Sequence, residues 1–157
     1  MQTRRLSLAI AIAAALTSQA WADSKSSSFD SRVQVVATCS ISAADLNFGS
    51  ITTGTTGNVD ASSSLTINCS ANAPYQIALS NGANFDTSRR MAWGGSYVGY
   101  RLYSNAARTQ EWGATPAVSG TGSGANKTHD IYGRIFAGQN VPNTGNYADT
   151  VVATVSY

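Results

Sequence analysis

Residues 64–80 read SLTINCSANAPYQIALS. Leu65, Ile67 and Cys69 stand at every second position, separated by Thr66 and Asn68. After Ser70–Pro74 the same alternation resumes with Tyr75, Ile77 and Leu79, separated by Gln76 and Ala78. A period of two is the mark of a strand with one buried face, because successive side chains of extended backbone point to opposite sides. The pattern recurs outward in both directions. Val33, Val35 and Ala37 carry it upstream. Downstream come Val98, Tyr100 and Leu102, then Ile131, Gly133 and Ile135, and finally Val151, Ala153, Val155 and Tyr157. Turn formers stand between the runs at Asn81-Gly82, Gly94-Gly95 and Asn143-Thr144-Gly145. The longest loop is expected from Gly113 to Thr128, which is rich in Gly, Ser, Thr and Ala. No stretch after residue 22 shows a sustained helical stripe of apolar residues. About seven short strands with turn signals between them predict an all-β, antiparallel sandwich.

The first 22 residues read as an export signal. Arg4 and Arg5 form a positive start, and Leu6 to Leu16 is an eleven-residue run without a charge. Ala20-Trp21-Ala22 then offers small residues where a signal peptidase reads them, so cleavage is expected before Asp23. The run is short of the ~20 apolar residues that a membrane span needs, and no later stretch approaches that length. An exported chain without an integral membrane segment is therefore expected.

Only 11% of the 157 residues are charged, against about 25% in an average soluble protein. The formal net charge of +2 is that of Arg4 and Arg5, so the chain from Asp23 onward is formally neutral. That removes the positive field on which nucleic-acid binding relies. It also removes charge repulsion between copies, which suits something meant to assemble.

Chemistry finds little purchase. His129 is the single histidine, so a multi-histidine metal site is excluded. His129 and Asp130 are neighbours, and adjacent residues of a strand face opposite ways, which is wrong for a catalytic dyad. Asp45, Asp60 and Asp86 lack the close spacing of a calcium loop. Asn126-Lys127-Thr128 matches a glycosylation sequon and matters only in a glycosylating host. No catalytic residue, metal or cofactor is assigned, and the chain is not read as an enzyme. Arg89, Arg90 and Arg108 read as a solvated loop or a small basic patch. Trp93, Tyr97, Tyr100, Tyr103 and Trp112 read as core or as a sugar-stacking platform.

Cys39 and Cys69 are the two cysteines of the chain. Export favours oxidation, and two cysteines allow one intramolecular pairing, so a staple between them is expected. Closing a loop of about thirty residues contributes roughly 3–4 kcal/mol by constraining the unfolded chain.

Residues 23–38, DSKSSSFDSRVQVVAT, place Phe29, Ser31, Val33, Val35 and Ala37 on one face. Two readings stand side by side. The segment is either the first strand of the sandwich, or an extension that enters a neighbouring molecule by strand addition. A free apolar strand is otherwise an aggregation hazard.

An ordered set of segments carries a family resemblance. Val36-Ala37-Thr38-Cys39-Ser40-Ile41 is followed by Leu46-Asn47-Phe48-Gly49, Ile67-Asn68-Cys69-Ser70 and Tyr100-Arg101-Leu102-Tyr103. Trp112-Gly113, Tyr132-Gly133-Arg134-Ile135 and Gly145-Asn146-Tyr147-Ala148-Asp149-Thr150 complete it. In this order they resemble the spore coat protein U family, which includes the pilin subunits of archaic chaperone–usher pili. The resemblance implies an incomplete immunoglobulin-like sandwich lacking one strand, completed by donor-strand exchange. It divides the chain into a signal peptide (1–22), an N-terminal extension (23–38) and a pilin domain (39–157). Residues 26–38 become the donor strand, with Phe29, Val33 and Val35 as the groove-filling side chains. Cys39 and Cys69 match the two family cysteines. The strand from Val151 to Tyr157 lines the groove, with Val151, Val155 and Tyr157 as chaperone contacts. The implied partners are identical or related pilin subunits, a periplasmic chaperone and an outer-membrane usher. The implied route runs through the periplasm to the cell surface, for adhesion or biofilm formation. Two other readings of the chain remain: a secreted coat or matrix protein that closes its own groove, and a carbohydrate-binding module.

Overall fold

The computed structural model describes residues 22–115, 118–141 and 143–157. The expected export signal, up to residue 21, lies outside the described residues. The chain divides into two compact units, 1–34 and 35–157. The described part of the first, residues 22–34, carries no helix or strand, and its side chains are exposed.

The second unit holds eight strands: β1 (Cys39–Ala43), β2 (Val59–Cys69), β3 (Pro74–Leu79), β4 (Arg90–Trp93), β5 (Ser96–Tyr103), β6 (Val118–Thr121), β7 (Asn126–Ile135) and β8 (Ala153–Ser156). All pairings between them are antiparallel. They form a five-stranded sheet in the order β1-β2-β7-β5-β4 and a three-stranded sheet in the order β6-β3-β8. Among the described residues there is no helix. The all-β, antiparallel expectation is met.

The alternating runs build the core. Leu65, Ile67 and Cys69 of β2, Val98, Tyr100 and Leu102 of β5, and Ile131 and Ile135 of β7 are buried on one sheet; Tyr75, Ile77 and Leu79 of β3 are buried on the other. Trp112 lies between them fully buried, and its indole N–H donates to the Ile77 carbonyl at 3.0 Å. Each removed large side chain contributes about 1.5–3 kcal/mol by leaving water, so the sandwich rests chiefly on these residues.

Cys39 and Cys69 are disulfide-bonded and stand opposite each other in the β1–β2 register. The β4–β5 hairpin turns at Gly94-Gly95, which take φ of +52° and +79°. A two-residue turn of this hand needs positive φ at both positions, and glycine supplies it without a Cβ penalty.

Three local expectations change. The stretch 113–128 is not one long loop, because β6 and the start of β7 lie within it. The edge of β3 supplies the pairing that the small residues do not announce, and Gly120 sits so close against the Tyr75 ring that a Cβ would overlap it. The alternating residues Val33, Val35 and Ala37 form no strand, and strand structure begins at Cys39. β4 was not expected, since four residues at a sheet edge carry little pattern.

Candidate functional site

β1 is an edge of the five-stranded sheet and β8 an edge of the three-stranded one. Each edge presents backbone N–H and C=O groups on one side that its own sheet does not pair. The two strands approach each other, but the chain forms no strand between Ala43 and Val59. Between residues 43–53 and 143–153 the sandwich stands open in a cleft of about 900 Å³. The floor of this cleft is the core itself: Leu79, Val98, Tyr100, Leu102, Ile131 and Ile135 all line it.

The first rim is held by apolar contacts. Leu46, Phe48 and Ile51 pack against the core. Leu46 and Phe48 rest on Gly133 of β7, where a Cβ would overlap both side chains. The Phe48 ring stands edge-on to Tyr100, with centroids 5.9 Å apart.

The second rim is held by hydrogen bonds. Ala148 exchanges two backbone bonds with Ala92 of β4, at 2.9 and 3.3 Å. The Thr150 carbonyl accepts from the Ala83 N–H at 3.0 Å, and the Val152 carbonyl from the Ser80 N–H at 2.8 Å. The Val152 N–H donates to the Ser80 hydroxyl at 2.9 Å. Asp149 accepts from the Asn84 N–H at 3.0 Å, the Asn84 amide at 3.2 Å and the Tyr100 hydroxyl at 2.7 Å. Burial, followed by this bond to Asp149, holds the Tyr100 hydroxyl protonated well above the ordinary tyrosine range. None of these partners belongs to the opposite rim.

Arg89 lies behind the second rim and is 5% exposed. Its guanidinium donates to the Leu79 carbonyl at 2.9 Å and to the Ser80 carbonyl at 2.9 and 2.6 Å. Burial lowers its pKa from the ordinary value, and Tyr100, Glu111 and Asp149 oppose that shift. Arg90 instead pairs with Asp86 at 3.1 Å, while Arg108 and Arg134 share Asp60. The three arginines suspected of forming a patch are thus built into separate structural contacts.

The expected site residues fall in different places. Val151 lines the cleft. Val155 packs on the core opposite Ile77. Tyr157 lies past the end of β8 and is 59% exposed. Phe29, Val33 and Val35 are 90%, 88% and 89% exposed. The aromatic set divides as well: Tyr100, Tyr103 and Trp112 are buried, while Trp93 and Tyr97 are exposed. Ala92 pairs with Tyr97 and Trp93 with Ser96, which puts Trp93 and Tyr97 on opposite faces of the hairpin and denies them a shared stacking platform. His129 meets the Tyr75 hydroxyl, and Asp130 accepts from Tyr132, so the two neighbours do face apart. The first rim and the Tyr100–Asp149 pair escaped the sequence reading, although Leu46, Phe48, Tyr100 and Asp149 all lie within the segments that carry the family resemblance.

Three comparisons with known proteins bear on this geometry. No curated relative matches the chain. Among solved structures, the chain is similar to one in a chaperone–tip adhesion subunit pre-assembly complex, CsuC-CsuE, from the archaic chaperone-usher Csu pili of Acinetobacter baumannii, with 26% identity and a TM-score of 0.59. That match covers 78% of this chain and 40% of the other. The family model of the Spore Coat Protein U domain matches residues 25–154. This match runs through both rims, both cysteines and all eight strands but the last residues of β8, and the chain therefore belongs to the Spore Coat Protein U domain family.

Proposed function

We propose that the chain is a structural subunit of a surface pilus, exported to the periplasm and assembled through a chaperone–usher pathway. The observation that carries this reading is the cleft of about 900 Å³ floored by core residues. A sandwich that ends in an open trough with an apolar floor, beside the free edge of β8, is built to receive one more extended strand. Strand addition draws affinity from main-chain bonds to the edge and specificity from alternate side chains in pockets. A chaperone would supply that strand first, and the 26–38 segment of another subunit would replace it. Phe29, Val33 and Val35 are the side chains that fill the trough. At ~1.5–3 kcal/mol each for full burial they contribute on the order of 5–9 kcal/mol, before any ladder bonds form. Val151, which lines the cleft, and Val155 and Tyr157 farther along the same run are the proposed contacts of the incoming strand. The similarity to a chain of a chaperone–pilus subunit complex supports the partner assignment. On this reading the chain is not an enzyme, and its role is mechanical, in adhesion or biofilm formation.

The test compares the exported chain with one lacking residues 23–38. The full chain is expected to form SDS-resistant ladders. The shortened chain is expected to form none, and to take up an added peptide of residues 26–38 as a one-to-one complex. Stable monomers from both chains would overturn the assignment.

A further inference from the structure

A trough floored by apolar core residues and open to water should collapse, since closing it removes that apolar surface at about 25 cal/mol for each Å². Something must hold the two rims apart before a strand arrives. Tyr100 touches both. The Tyr100 ring meets Phe48 of the first rim edge-on, and its hydroxyl donates to Asp149 of the second at 2.7 Å. Tyr100 itself belongs to β5, paired to β7 on one side and β4 on the other, so its backbone is fixed.

We infer that Tyr100 and Asp149 are the positioning pair that holds the cleft open to an incoming strand, an inference that rests on the strand-acceptor reading above. Inward movement of the second rim would pull the Asp149 carboxylate from Tyr100 and from both Asn84 donors. An ionised acceptor left without donors in a partly buried site is costly, which gives the pair its holding power. The surrounding chain is cut to fit that carboxylate. Gly82 takes φ of +89°, and a Cβ there would overlap Asp149. Arg89 fixes the Leu79 and Ser80 carbonyls immediately before that turn. Backbone bonds anchor the second rim to β4 and to residues 80–83, and the Tyr100 ring, its hydroxyl and the Asp149 carboxylate add the link that spaces it from the first.

A spacer acts on the empty cleft and not on the filled one, because a seated strand keeps the rims apart by itself. The test is Tyr100→Phe in the full chain, which keeps the ring and its Phe48 contact and removes the hydroxyl. Folding is verified by circular dichroism and by the intact Cys39–Cys69 bridge. A fluorescent peptide of residues 23–38 then reports uptake and release, competing with the chain's own extension equally in both proteins. Uptake is expected to slow by about tenfold to a hundredfold, the change in open population that loss of one bond to a charged acceptor implies. Release is expected to stay within about twofold, since the seated strand replaces the spacer. Asp149→Asn should give the same split, and amide hydrogen exchange at Ala148 and Val152 of the empty protein should quicken in both variants. If wild type takes up peptide and Tyr100→Phe does so at the same rate, the spacer is overturned and the acceptor reading stands. Faster release with unchanged uptake overturns it equally, because that is the mark of ordinary packing. If wild type takes up no peptide, the acceptor reading itself falls and this inference falls with it, even where rim exchange has quickened.

Discussion

Tyr75 on β3 and His129 on β7 join the two sheets through one hydrogen bond, with 3.0 Å between the hydroxyl and Nε2 and the rings edge-on at 5.9 Å. Burial lowers the His129 pKa from its ordinary 6.5, Lys127 lowers it further, and Asp130 opposes. The unfolded chain therefore takes up a proton at a pH where the folded chain does not. The stability tied to neutral His129 is complete above pH 6.5 and is lost as pH falls through the depressed folded value. Thermal melts in a pH series should show that decline, and His129→Gln should flatten it. Gly133 gives a second prediction at this scale. Gly133→Ala places a Cβ against Leu46 and Phe48, and overpacking of this kind costs about 1–3 kcal/mol in denaturant unfolding. The sequence showed that His129 and Asp130 face apart, but not that His129 finds Tyr75 across the sandwich. It likewise counted Arg89 and Arg90 as two like charges, whereas one is buried on backbone carbonyls and the other lies beside Asp86. Charge and spacing specify what a residue is, and only the paired sheets specify what it meets.

β1 pairs with a single neighbour over five residues, and the Cys39–Cys69 bridge sits at the first pair of that register. Replacing both cysteines by serine should cost about 2–5 kcal/mol, and amide exchange should show β1 opening before any other strand of the five-stranded sheet. The strands that announced themselves carry an apolar face in unbroken alternation: Leu65–Cys69, Tyr75–Leu79, Val98–Leu102, Ile131–Ile135 and the short β8. β4 and β6 did not, because RMAW and VSGT are short edges whose pairing is dictated by β5 and β3. The cleft was invisible to periodicity for a deeper reason. Val98 and Ile135 alternate in the same way whether another strand covers them or none does, so the pattern records which face is apolar and not what lies against it. The family resemblance, carried by segments from both rims, supplied what the alternation could not.

From Asp23 onward the molecule carries equal numbers of acidic and basic side chains. Association driven by strand insertion should therefore depend weakly on salt. Ladder formation at low ionic strength and at about 0.5 M salt, where the Debye length falls to a few Å, should proceed at closely similar rates. A strong loss with salt would assign assembly to charged surfaces instead. The placement of the disulfide has a mechanical meaning for such an array. Tension arriving along the chain toward Thr38 would, in an unbridged sheet, break the Ser70 N–H bond to the Thr38 carbonyl and then unzip β1 from β2 one backbone bond at a time. The sulfur link stands at the first pair of the β1–β2 register and diverts the pull into Cys69 at the end of β2. β2 is gripped on both sides, by β1 and by β7 over ten paired residues, so the load must shear a sheet where it would otherwise have peeled an edge. Oxidation thus decides the direction in which the molecule yields: along its strands when the link is closed, and across them when it is reduced.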